Sequence, residues 1–123
     1  MKPSALVIED DEAVADHVAQ VLRKMGYDVE YSLDGLDGLR LCQASNFSLI
    51  VCDVRMPRLS GLSFLSNLPK TLCARAKVIM ISALDDNAIR SQLLELGASA
   101  YLVKPLVMQD LQDAIGKPQS LKL

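Results

Sequence analysis

The chain alternates between two hydrophobic patterns, and this alternation limits its fold more than any other feature. Short runs of consecutive apolar residues predict strands that are buried on both faces. Between these runs, apolar residues recur every three or four positions, which predicts amphipathic helices. The predicted strands are Ala5–Ile8, Tyr27–Tyr31, Ser48–Cys52, Lys77–Ile81 and Ala100–Val103. Strict alternation of strand and helix predicts a parallel sheet with helices on both faces.

Five predicted helices follow the five strands, and capping residues mark several of their ends. Asp34 is a predicted N-cap, as is Asp85 or Asp86, while Gly26 and Gly97 stand where helices end. The apolar positions of the helices lie in the ranges Val14–Met25, Leu36–Cys42, Gly61–Leu68, Ile89–Leu96 and Leu106–Ile115. With right-handed crossovers, the expected fold is α/β, a doubly wound five-stranded parallel sheet in the order 2-1-3-4-5. This order leaves a crevice at the carboxyl ends of the first and third strands.

The composition places this fold in one small, acidic domain. The chain has 123 residues, enough for a single domain. Its net charge of −2 excludes the strongly basic surface that nucleic-acid binding through phosphates requires. The apolar runs are far shorter than the roughly 20 residues of a membrane span. Cys42, Cys52 and Cys73 lie in apolar segments, which favours reduced, buried thiols. We expect a cytoplasmic protein without direct contact to membranes or nucleic acid.

The residues that follow the predicted strands are the ones that carry chemistry. Glu9 and Asp10 follow the first strand, Asp53 the third, Ser82 the fourth and Lys104 the fifth. Because neighbouring strands lie about 4.8 Å apart, carboxylates at the ends of strands one and three can approach within about 5–6 Å. At that distance two charges repel by roughly 3 kcal/mol at an effective dielectric constant of 20. Such a cluster favours a hard cation with oxygen ligands, and Mg²⁺ fits best.

Each of these residues also has a purely structural interpretation. Asp11 is expected only to cap the first helix, and Lys104 can be read as an ordinary surface lysine. The joint placement of Asp10 and Asp53 on neighbouring strands instead favours a functional site. A metal, a hydroxyl and an ammonium around one carboxylate are what phosphoryl transfer needs, and a carboxylate can itself be the nucleophile.

Four segments in this order closely resemble the receiver domain of two-component response regulators, a flavodoxin-like fold. They are Val7–Glu12, Asp53–Pro57 with Gly61, Ile79–Ala83, and Gly97–Pro105. The resemblance runs from Ala5 to about Ile115, so we expect a receiver domain over residues 1–117. Residues 118–123 are expected to be a polar tail or the start of a linker.

The resemblance implies a phosphoacceptor and a magnesium site. Asp53 would accept a phosphoryl group from a histidine kinase or a histidine phosphotransfer protein. Asp10 and Asp53 would bind Mg²⁺ directly, Glu9 would bind it through water, and the Arg55 backbone carbonyl would complete the protein ligands. Such a domain catalyses its own aspartyl phosphorylation and dephosphorylation, and it does not turn over small substrates.

The resemblance also implies a switch. Ser82 would hydrogen-bond the phosphoryl group and Lys104 would pair with it, while Tyr101 matches the switch aromatic that turns inward as the hydroxyl moves. The Lys104–Pro105 bond is expected to be cis. Residues 89–115 would form the face for an output partner or a homodimer. Two contexts stay open, a free-standing single-domain regulator and part of a longer regulator with an output domain.

Three positions depart from the commonest family pattern. Glu9 replaces Asp, and Ser82 replaces Thr, which removes a methyl group that restricts the rotamers of the side chain. Leu84 lies near the expected path of the attacking water. We therefore expect the bulky Arg55 and the apolar Leu84 to slow autodephosphorylation.

Three other functions fit these residues less well. A flavodoxin-like FMN carrier needs a loop rich in Ser, Thr and Gly after the first strand, where this chain has acids. A phosphatase-like hydrolase needs its nucleophilic Asp after the first strand and a cap domain. A receiver that acts without phosphate would not need the retained acids, Ser82 and Lys104.

Overall fold

The computed structural model describes residues 2–116, apart from the side chains of Cys73 and Ala74. Its five strands are β1 (Ser4–Ile8), β2 (Asp28–Ser32), β3 (Leu49–Asp53), β4 (Lys77–Ser82) and β5 (Ala100–Val103). They form one sheet in the order β2-β1-β3-β4-β5, and every neighbouring pair is parallel. The predicted doubly wound sheet and its strand order are confirmed.

Within residues 2–116, six helices cover the two faces of the sheet. They are α1 (Glu12–Lys24), α2 (Gly35–Ala44), α3 (Gly61–Asn67), α4 (Lys70–Arg75), α5 (Asn87–Glu95) and α6 (Met108–Ile115). Helices α1 and α6 pack on one face, over Val7, Val51 and Ile79. Helices α2 to α5 pack on the other, over Ile8, Cys52 and Met80 among others. Because successive strand residues point to opposite faces, each central strand contributes to both cores.

Helix α4 was not predicted. Its six residues are too few to show a helical period, and the helix buries Leu72. Pro69 precedes it with φ of −57°, close to the helical value that the proline ring fixes. Helix α6 also begins two residues later than predicted, at Met108, because Val107 has an extended backbone.

The predicted capping residues of α1, α2 and α5 are confirmed. The Asp11 carboxylate accepts hydrogen bonds from the backbone N–H groups of Ala13 and Val14, so it caps α1. Asp34 caps α2, and Asp86 rather than Asp85 caps α5. Gly26 and Gly97 follow α1 and α5 with φ of +104° and +115°, a region that favours glycine.

The remaining expectations concern one peptide bond, the cysteines, the tail and membrane spans. The Lys104–Pro105 peptide bond is cis, as expected. Cys42 and Cys52 are buried, whereas the Cys73 side chain lies outside the described part. The tail expected at residues 118–123 also lies outside it. None of the helices within residues 2–116 has the length and apolar character needed to cross a bilayer.

Candidate functional site

The carboxyl ends of four strands bring the chemical residues to one edge of the sheet. Asp53 is the last residue of β3 and Ser82 the last of β4, while Glu9 follows β1 and Lys104 follows β5. Glu9 and Ser82 are fully buried and Asp53 is 5% exposed, whereas the Asp10 side chain faces solvent. Parallel pairing of β1, β3 and β4 therefore places a largely buried acidic pair beside an exposed acid.

Lys104 joins the two buried carboxylates. Its Nζ atom lies 2.5 Å from Glu9 Oε1 and 2.9 Å from Asp53 Oδ2. Its backbone N–H donates to the Ser82 carbonyl at 2.7 Å, which fixes the start of the segment after β5. The side chain is 22% exposed. Lys104 therefore pairs with the buried acids and is not an ordinary surface lysine.

The charges of the cluster depend on burial and on these contacts. Burial, followed by the neighbouring Asp53, raises the pKa of Glu9 from 4.5 to about 8. Burial alone would also raise the pKa of Asp53, but hydrogen bonds with Glu9, Lys104 and the Arg55 N–H together hold that pKa below its usual range. Burial opposes the charge of Lys104, yet its two carboxylate partners keep the pKa of the ammonium raised. Asp53 is therefore the stronger acid of the buried pair.

The donor set fits a hard divalent cation. Glu9, Asp10 and Asp53 each offer a carboxylate oxygen, and these oxygens lie within 4.8 Å of one another. Within residues 2–116, Glu9 Oε2 is the buried side-chain oxygen without a hydrogen-bond partner. A buried oxygen of this kind costs free energy unless it finds a donor or a cation. Carboxylate oxygens in this number suit Mg²⁺, with water and other oxygens completing the coordination.

The segment after β3 holds Asp53 in place. The Arg55 N–H donates to Asp53 Oδ1 at 3.2 Å. Val54 donates its N–H to the Ile81 carbonyl at 2.9 Å and accepts from the Gly61 N–H at 2.8 Å. These bonds close the loop between β3 and α3, so that the Arg55 peptide lies beside the Asp53 carboxylate.

The side chains of Ser82 and Tyr101 hydrogen-bond to the backbone of Leu84 rather than to the acidic cluster. The Ser82 Oγ accepts a hydrogen bond from the Leu84 N–H at 3.0 Å. The Tyr101 hydroxyl donates to the carbonyl of the same residue, Leu84. The two side chains are therefore connected through one residue of the loop between β4 and α5. The Ser82 hydroxyl still has its own hydrogen to donate to a group bound at the edge of the sheet.

Sequence reasoning missed this role of Leu84. The residue takes part through its backbone N–H and carbonyl, which every non-proline residue has. No side-chain pattern marks such a residue. In the sequence, Leu84 is distinguished only by its apolar side chain. Its side chain is 39% exposed.

Comparison with protein families gives one model that matches nearly the whole described part. The response regulator receiver domain matches residues 5–116. Among curated proteins, an uncharacterized transcriptional regulatory protein, YcbL of Bacillus subtilis, is 33% identical over 112 residues, covering 86% of this chain and 46% of the relative. The chemotaxis protein CheY of Treponema pallidum is 35% identical over 104 residues, covering 82% of this chain and 72% of the relative.

Solved structures give the same answer. A response regulator protein from Burkholderia pseudomallei, with a phosphorylated aspartic acid, calcium ion and citrate, is similar with a TM-score of 0.81 and 28% identity. That match covers 93% of this chain and 66% of the other. The chain spans about half the length of the first curated relatives, which are transcriptional regulatory proteins.

Proposed function

The chain belongs to the response regulator receiver domain family of two-component signal transduction, and we propose that Asp53 is its phosphoacceptor. The phosphoryl group would come from the phosphohistidine of a histidine kinase or a histidine phosphotransfer protein. One observation carries the proposal. That observation is the placement of Asp53, which ends a buried strand, contacts Lys104 and belongs to the cluster of three carboxylates that fits Mg²⁺. Its contacts hold its pKa below the usual range.

The residues at the carboxyl edge of the sheet supply the groups that phosphoryl transfer needs. An oxygen of the Asp53 carboxylate attacks phosphorus, the bond from phosphorus to the donor histidine breaks, and the imidazole nitrogen keeps the electron pair. The product is an acyl phosphate that carries more negative charge than the carboxylate it replaces. Lys104 already contacts Asp53, so its ammonium pairs with the phosphoryl oxygens, and Ser82 donates its hydroxyl hydrogen to one of them.

Glu9, Asp10 and Asp53 would hold Mg²⁺, with Glu9 acting through water and the Arg55 carbonyl as a further ligand. When bound, the cation neutralises charge on the transferring phosphoryl group. The unpartnered Glu9 Oε2 and the distances among the three acids support this assignment. The phosphorylated aspartic acid and calcium ion of the Burkholderia pseudomallei relative support it as well.

We also propose that this chain carries a conformational switch and a surface through which a partner recognises it. Tyr101 is connected to Ser82 through Leu84, so a shift of the Ser82 hydroxyl can reach the ring. Residues 89–115 are the face for an output partner or a homodimer. Exposed apolar side chains on and beside this face, Leu94, Leu96 and Val107, support a role in protein contacts. The receiver domain is assigned to residues 1–117.

Incubation with acetyl phosphate and Mg²⁺, followed by intact mass measurement, tests the proposal. The protein is expected to gain about 80 Da, the mass of one phosphoryl group. An excess of EDTA is expected to abolish the gain, because without a cation the carboxylates repel the incoming phosphoryl oxygens. A wild-type protein that gains no mass with Mg²⁺, or gains it equally in EDTA, would contradict the proposal.

Leu84→Asn is expected to shorten the lifetime of the phosphorylated protein severalfold. An asparagine side chain can hydrogen-bond and orient an attacking water, whereas leucine cannot, and the backbone bonds of residue 84 stay the same. The decay of the 80 Da adduct, about the mass of one phosphoryl group, measures the lifetime after acetyl phosphate is removed.

The matched control for Leu84→Asn is Leu94→Asn, which changes a leucine of similar exposure on α5 (42% against 39%). The control should decay at the wild-type rate. If Leu84→Asn decays no faster than the control, the apolar side chain of Leu84 does not slow dephosphorylation.

A further inference from the structure

The Tyr101 side chain has a second contact that the proposed phosphoryl transfer does not use. The Arg90 Cζ atom lies 5.0 Å from the centroid of the Tyr101 ring. This distance falls within the roughly 6 Å over which a guanidinium is attracted to the face of an aromatic ring. Arg90 lies on α5, and the Tyr101 ring is 8% exposed. The ring is therefore held by its hydroxyl at Leu84 and by a cation over its face.

Arg90 is itself held in this position by neighbours on its own helix and loop. Its Nη1 atom donates to Asn87 Oδ1 at 2.9 Å, and its Nη2 atom lies 3.5 Å from Asp85 Oδ1. The Arg90 side chain is 35% exposed, so it covers the ring while keeping part of its surface in solvent. Asp85 is 74% exposed, and an ion pair so exposed adds little on its own. The hydrogen bond to Asn87 and the ring together fix the guanidinium.

We propose that Arg90 is a positioning residue for Tyr101. Its guanidinium holds the ring in the buried position, with the hydroxyl on the Leu84 carbonyl. The inference rests on the proposed function, which assigns the switch to Tyr101. The equilibrium between the buried and the exposed position of the Tyr101 ring then depends on the Arg90 guanidinium. Arg90 lies on α5, within the face formed by residues 89–115. A partner that engages Arg90 would thus act directly on the switch.

Nitration by tetranitromethane, mapped by peptide mass, tests this inference in the unphosphorylated protein. The chain has three tyrosines. Tyr31 is 45% exposed, so its nitration shows that the reagent is active. Tyr27 is 3% exposed, so its nitration rate rises when the whole fold loosens. The quantity measured is the nitration rate of Tyr101 divided by that of Tyr27. Arg90→Met keeps an unbranched apolar side chain and removes the cation, and Arg90→Lys keeps the cation.

We expect the rate ratio to rise roughly two- to tenfold in Arg90→Met, the range that a partly exposed cation–π contact supplies. Arg90→Lys should stay closer to the wild type than to Arg90→Met. An unchanged ratio in Arg90→Met would overturn the inference, and so would an equal rise in both variants. The measurement needs no phosphorylation, so a wild-type protein that fails to take up the phosphoryl group contradicts the proposed function alone.

Discussion

Asp53→Asn is expected to gain no mass from acetyl phosphate and Mg²⁺, whereas the wild type gains about 80 Da. Asparagine keeps the size of the side chain, and its amide oxygen can still accept one of the two hydrogen bonds that Arg55 and Lys104 donate to the two carboxylate oxygens of Asp53. It lacks the anionic oxygen that attacks phosphorus, and it removes one of the three acids of the cluster. We therefore expect loss of the reaction in a protein that remains folded, with circular dichroism as the check on folding.

The matched control for Asp53→Asn is Asp11→Asn, which makes the same substitution close to the site. The Asp11 carboxylate accepts from Ala13 at 3.0 Å and from Val14 at 3.4 Å, so its role is to cap α1. Asparagine caps a helix about as well as aspartate, and Asp11→Asn should gain the same mass as the wild type. An adduct that persists in Asp53→Asn, or one that is lost in both variants, contradicts the assignment of Asp53.

The fold and the composition of the candidate site could be predicted because both follow from local patterns. Buried parallel strands read as continuous apolar runs, and their carboxyl ends must meet at one edge of the sheet. That rule alone places Asp53 and Lys104 near each other, although 51 positions separate them. The structure adds that the lysine contacts Glu9 as well, which depends on side-chain reach rather than on register.

The remaining features depend on loop geometry and on contacts that leave no pattern. The two hydrogen bonds of Leu84 use only its backbone, so no residue type indicates them. The contact between Arg90 and Tyr101 joins a helix to a strand through one side chain, and its spacing in sequence is not periodic. Helix α4 is shorter than the window in which a helical period can be recognised. Local sequence therefore predicts where the site lies but not how its switch is connected.

Gly61→Ala is expected to destabilise the protein by about 3 kcal/mol or more, which is large for a single methyl group. A Cβ atom at residue 61 would lie 2.4 Å from the Asp53 carbonyl oxygen and 2.7 Å from the Val54 Cα. Both are backbone atoms of the segment that ends β3, so neither can rotate away. The free energy of unfolding, measured by urea denaturation, reports the cost.

Gly38→Ala is the comparison that separates backbone clashes from side-chain clashes. A Cβ atom there would lie 2.5 Å from the Ile8 Cδ1 atom and 2.9 Å from its Cγ1 atom, which belong to a side chain and can move without a shift of the backbone. Alanine within α2 also gains up to about 1 kcal/mol of helix propensity over glycine, so the net cost should be clearly smaller than that of Gly61→Ala. Equal losses of unfolding free energy in the two variants would show that the backbone after β3 moves out of the clash as easily as the Ile8 side chain does.

The same clash carries a consequence for the phosphoacceptor. The backbone atom nearest to the added methyl group is the carbonyl oxygen of Asp53 itself, so relief of the contact must shift the end of β3. A shift there moves the carboxylate relative to Lys104, which it contacts at 2.9 Å. Phosphorylation by acetyl phosphate, measured where both variants are folded, should therefore be slower in Gly61→Ala than in Gly38→Ala. Equal rates would mean that the loop adjusts elsewhere and that the close approach of Gly61 stabilises the fold without positioning Asp53.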